Sequence, residues 1–110
     1  MITYHARYVG QLGLVASQLF AVTANATERI VKAVACNDTT TDVTCTFHRF
    51  ISGGAVDPAN MVINARTLGT KETIQLWELE GMVMGPGYEL HGLASADTQV
   101  TVHVDTIKVV

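Results

Sequence analysis

Chemistry in this 110-residue chain would have to come from four histidines, two cysteines and a scatter of carboxylates. The histidines, His5, His48, His91 and His103, form no HxH or HxxxH pair, and no carboxylate stands at the spacing of a metal-binding jelly roll. Three of the four fall on predicted solvent faces of strands, so surface histidines are the expectation and a metal site is not. Cys36 and Cys45 lack the CxxC spacing of a zinc site. Acid–base catalysis needs groups held within hydrogen-bond reach of a shared substrate. Glu72, Glu78, Glu80, Glu89, Asp97 and Asp105 are scattered instead through turns and outer strand faces, as solvated residues are. The glycines at 53–54 and 85–87 are not followed by a helix and make no phosphate loop. No catalytic, cofactor or metal residue is predicted, and an enzyme is not expected.

Composition points the same way. Charged residues are 15% of the chain, against roughly 25% in ordinary soluble domains. A surface so short of charge is expected to be partly buried between copies of the chain. The net charge of −3 and the lack of a basic stretch argue against a nucleic-acid partner. No run approaches a membrane span, and residues 1–7 lack the features of a secretory signal. A soluble protein made in a cytoplasm, with no membrane partner, is the expectation. Cys36 and Cys45 could bond if they faced each other, but in a reducing compartment they are expected as small buried hydrophobes.

The elements that position these residues are strands. Glu28 to Ile51 reads as two long strands about the polar turn Asn37-Asp38-Thr39-Thr40-Thr41-Asp42. Val43, Cys45, Phe47 and Ile51 fall on one face of the second arm, and Thr44, Thr46 and His48 on the other. A hairpin centred between Thr40 and Thr41 would set Cys36 against Cys45, Val34 against Phe47 and Ile30 against Ile51. It would also oppose Lys32 and Arg49, which requires either a water-exposed rim or a bulge there. Further strands are expected near 18–22, 61–65, 72–79 and 88–94, and a last one with Val100, Val102 and Val104 inward. Ile107 and Val109 break that phase, through a bulge or by serving a different surface. Residues 1–13 read as an N-terminal arm with little reason to join the core, and 14–110 as a single β-sandwich domain. The fold class is all-β: an antiparallel β-sandwich, jelly-roll-like, of seven to eight strands.

The run from Leu19 to Asn37 resembles the opening of small β-sandwich structural proteins of tailed bacteriophage virions. Met84-Gly85-Pro86-Gly87-Tyr88-Glu89-Leu90 and the valine-rich stretch Thr98–Val104 echo the later turn and strand of those proteins. The chain departs from their pattern at Ala24, where proline is usual, and at Tyr88, where aspartate is common. The resemblance implies a virion protein, a head-decoration (cement) or head-fibre type, forming a homotrimer that binds between major capsid protein subunits. It implies localisation in the virion after synthesis in a bacterial cytoplasm. Tyr4 and Tyr8 on the arm, and Trp77, are the candidate interface residues; Trp77 could equally cover a neighbouring strand. The alternative reading is a carbohydrate- or receptor-binding module of a tail or head fibre, which wants aromatics lined along one face. A small β-barrel enzyme is the third.

Overall fold

The computed structural model describes residues 2–109. Apolar side chains at every second position make strands that bury one face, and two such sheets cover each other. In chain order the strands are β1 (Ile2–Gln11), β2 (Ser17–Ala21), β3 (Thr27–Asn37), β4 (Val43–Ile51), β5 (Met61–Leu68), β6 (Thr73–Gln75), β7 (Val83–Met84), β8 (Tyr88–Ala94) and β9 (Val100–Val109). Sheet A runs β1-β9-β3-β6, with β7 also paired to β3; sheet B runs β2-β8-β4-β5; every pairing is antiparallel. This is a jelly-roll sandwich, as expected, of eight principal strands plus the two-residue β7.

Between the sheets lie Phe47, Leu68, Leu76, Leu79, Met84 and Leu90, with the valines 100, 102 and 104 of β9. At Gly92 the fit is close: a Cβ there would stand 3.0 Å from the Phe47 ring and 3.2 Å from Leu12, so those side chains would have to give by a few tenths of an ångström.

The hairpin expectation is corrected. β3 and β4 are long strands joined by a polar turn, but they do not pair with each other. β3 pairs with β9, β6 and β7 in sheet A, and β4 with β8 and β5 in sheet B. The turn is an arch that carries the chain from one sheet to the other, so the two strands face across the core. Buried Asn37 sets the arch. Its Nδ2 donates to the carbonyls of Thr41 (2.8 Å) and Gly69 (2.9 Å), and its Oδ1 accepts from Thr39 N (3.0 Å) and Oγ1 (2.7 Å). The Lys32–Arg49 clash disappears with the hairpin. Arg49 instead reaches across the end of the sandwich, donating to the Val83 carbonyl at 3.1 Å.

Cys36 and Cys45 are free, as expected, but not side by side. Cys45 is buried in the core cluster; Cys36, partly exposed, lies opposite Thr101 and Thr73 on the outer face of sheet A. The phase of β3 shifts because Val31 is an extra residue opposite β9, which turns Ala33 and Ala35 inward in place of Val34 and Cys36. On β9 the inward positions 100, 102, 104 and 106 stay in phase. The break at Ile107 and Val109 therefore reflects an outer surface and no slip of that strand.

Residues 2–11 are also corrected. The arm is the edge strand β1, laddered onto β9. None of its residues is fully buried, which is why its sequence reads as detached. What ties it down is an ion pair. Glu28, 1% exposed, accepts from Arg7 Nε (3.0 and 3.2 Å) and from the Thr106 hydroxyl (2.8 Å). Arg7, the bulged residue of β1, also donates to the Ala21 carbonyl and stacks 4.9 Å over Phe20. One side chain thus links both sheets. The expected strand 72–79 is likewise shorter: after Gln75 the chain turns, and Glu80 accepts from the Ala33 N–H (3.1 Å), closing the edge of β3 left free there.

Arg7→Met should lower stability by about 3 kcal/mol, the low end for a broken buried pair because Arg7 is itself partly exposed. The double change Arg7→Met, Glu28→Leu should recover roughly half of that loss in urea denaturation, since no uncompensated charge remains. A second expectation concerns the thiols. Burial pushes the Cys45 thiol up to about 11, with Glu78 adding to the shift and Arg66 opposing it. Alkylation of the native protein near pH 8, followed by mass spectrometry, should modify Cys36 alone.

Candidate assembly surface

Alternation along a strand that buries one face must present the other, and what that face carries is a matter of sequence. On sheet A the outward residues line up in rows across the strands. One row is Ile2, Val109 and Thr27; the next is Tyr4, Ile107, Arg29 and Val83. A third is Ala6, Asp105 and Lys32, and a fourth Val9, His103, Val34 and Gln75. Of the eleven exposed large apolar side chains among the described residues, six stand on this one face: Ile2, Tyr4, Val9, Val31, Val83 and Val109. Such clustering, rather than scatter, is the pattern an interaction surface would show. Lys32 and Asp105 sit in the middle of the patch, and neither forms an ion pair among the described residues.

The expected interface residues separate in the structure. Tyr4 is 78% exposed within the patch. Tyr8 turns the other way and packs against the core. Trp77 is 64% exposed, in the turn after β6 at the opposite edge of sheet A from β1. Sequence reading named Tyr4 but not Val31, Val83 or Val109, which join the patch only through non-local pairing. The phase break at Ile107 and Val109 was the one local sign of it.

The outer face of sheet B differs. His48 and His91 face each other across β4 and β8, and Phe50 stands 4.5 Å from the His91 ring. His91 Nε2 lies 2.9 Å from Glu89 Oε1. The surface-histidine expectation is corrected for His48, which is only 3% exposed, with Nδ1 unpartnered among the described residues. The loop 52–60 lies over this end of the sheet, with Gly54 against Phe50, and closes on a single 3-10 turn (Pro58–Asn60) capped by Asp57. Burial pushes the His48 imidazole below its ordinary value of 6.5; His91 adds to this and Asp57 opposes it. Among the described residues no three His, Cys, Asp or Glu come together as metal ligands.

No protein-family model matches the sequence, and no curated protein does. Among solved structures, a chain in the structure of infectious bursal disease virus, Gx strain, matches with a TM-score of 0.52 at 12% identity. The match covers 98% of this chain and 32% of the virus chain. A chain from the crystal structure of the T13 particle of the same virus matches at a TM-score of 0.47 and 11% identity, over 98% of this chain and 30% of that one, and adds no argument. At such identity the likeness is one of fold, and this chain spans about a third of the virus chain's length.

The lowered pKa of His48 sets a pH dependence. Above 6.5 the imidazole is neutral in both folded and unfolded chains, and its contribution to stability is complete. As pH falls below 6.5 the unfolded chain takes up the proton first, so stability drops until the pH passes the folded value. Urea midpoints between pH 7.5 and 5 should fall more steeply for the native sequence than for His48→Phe.

Proposed function

We propose that this chain is a structural protein of a virus particle, acting by assembly and not by catalysis. The observation that carries the reading is the apolar outer face of sheet A on a jelly-roll sandwich. The fold hosts capsid, lectin and metal-binding proteins alike, so function rests on what its faces display. Here one face offers aliphatic surface around three charges, Arg29, Lys32 and Asp105, an arrangement suited to a lasting protein contact. The likeness in fold to a chain of a virus structure supports the same reading.

Within it, the resemblance of residues 19–110 to bacteriophage proteins favours a capsid decoration role, with the major capsid protein as partner and a homotrimer as the assembled form. The glycan-binding alternative is less well supported. Tyr4 and Trp77 stand at opposite edges of sheet A, and the Tyr88 ring is taken up by Arg49, 5.7 Å from its centroid. Among the described residues no row of free aromatics forms a sugar platform.

Virus particles purified from the source should contain the protein in many copies by quantitative mass spectrometry. Stripping it should lower the temperature at which particles release their genome, and adding it back should restore that temperature. A protein found only outside particles, or particles indifferent to its removal, would sink the decoration role.

A further inference from the structure

We propose that the outer face of sheet A is the docking surface for a second copy of this chain, packed face to face about a two-fold axis. The axis runs along the strands between β9 and β3. The inference rests on the self-association in the reading above but departs from the homotrimer that the resemblance implies, because a two-fold contact pairs two copies.

Rotation about such an axis lays β9 of one copy over β3 of the other and keeps each residue at its own level along the strands. Asp105 then faces Lys32 of the second copy, and Lys32 faces Asp105 of the second copy. The two central charges of the patch, which stand directly opposite each other on β3 and β9 without closing an ion pair among the described residues, satisfy each other twice across the contact. At the neighbouring level Tyr4 of β1 falls over Val83 of β7 in the second copy, again in both directions. Those pairings follow from the registers Tyr4–Ile107–Arg29–Val83 and Ala6–Asp105–Lys32. A surface that is its own complement is what an isologous contact requires.

Size agrees with this assignment. Three strands of ten or eleven residues span about 33 Å by about 14 Å, and the short β6 and β7 extend that edge, for roughly 500 Å² in projection. Corrugated by side chains, that approaches the ~800 Å² per partner of a standard stable interface. Aligned sheet packing would close the middle of the patch most tightly, around Val31, and leave the exposed Arg29 guanidinium free to reach the rim.

The test uses Asp105→Lys and Lys32→Asp in the full chain, with sedimentation equilibrium at micromolar concentration. The native protein should be dimeric. Each variant alone should dimerise at least about tenfold more weakly, because two like-charge contacts replace two attractive ones. An equimolar mixture of the two variants should restore the dimer, since every contact between unlike chains is then Lys against Asp. Should either variant fail to show a native circular dichroism spectrum, Tyr4→Lys and Val83→Glu form an equivalent complementing pair. A monomeric native protein, or a mixture that stays dissociated, overturns the proposal. A trimer indifferent to all four substitutions also overturns it, while leaving the virion reading intact if the protein is found on particles. Absence from particles with dimerisation as described removes the virion reading alone.

Discussion

The carboxamide of Asn37 holds the crossing on which the rest of this fold depends. At the end of β3 the chain must leave sheet A and enter sheet B, and the arch, whose residues beyond Asn37 are mostly exposed, has backbone groups that neither sheet can pair. Asn37 supplies donors and an acceptor at that point, binding the Thr41 and Gly69 carbonyls and the Thr39 N–H. A buried amide with its hydrogen bonds filled stabilises one geometry and penalises others, because leaving it unfilled costs about 1–3 kcal/mol. With the crossing fixed, β3 and β4 present their apolar sides to each other across the core instead of side by side.

A second polar device works at the other end of β3. Glu28 is buried among apolar neighbours and would be costly alone. Arg7 and Thr106 make it tolerable, and in doing so they fasten the edge strand β1 to the sandwich. The arrangement explains a strand with no fully buried residue that is nonetheless part of the sheet. It also leaves the other side of β1, with Ile2, Tyr4 and Val9, free to contribute to the exposed apolar face. Packing and surface are thus decided by the same few residues: Arg7 and Val31 are the bulged positions that set which neighbours turn in and which turn out.

The two outer faces have different characters for physical reasons. On sheet B the loop 52–60 folds against Phe50, and burial of the nearby His48 disfavours its charged form. Sheet A has no such loop among the described residues, and its apolar side chains stay in solvent in the isolated chain. The assembly role proposed for the chain rests on the second kind of face. Nothing in it requires a pocket or a reactive group, and the buried Cys45 thiol, pushed up to about 11, is chemically quiet.

The sequence by itself determined the all-β class, the inward valines of β9 and the core residues Val43, Cys45 and Phe47 of β4; Ile51, expected with them, is exposed instead. These are readable because a strand's period of two is local, and each residue's polarity reports its own face. Only the tertiary structure decided which strands are neighbours. Backbone hydrogen bonds are the same for every residue type, so a polar turn between two alternating strands does not say whether it closes a hairpin or an arch. Nor could local pattern reveal that Glu28 is buried, since its partners Arg7 and Thr106 lie far away in sequence. For the same reason the apolar patch shows in the sequence only as the phase break at Ile107 and Val109. It is assembled from β1, β3, β7 and β9, and it exists only once their registers bring Tyr4, Ile107, Arg29 and Val83 into one row.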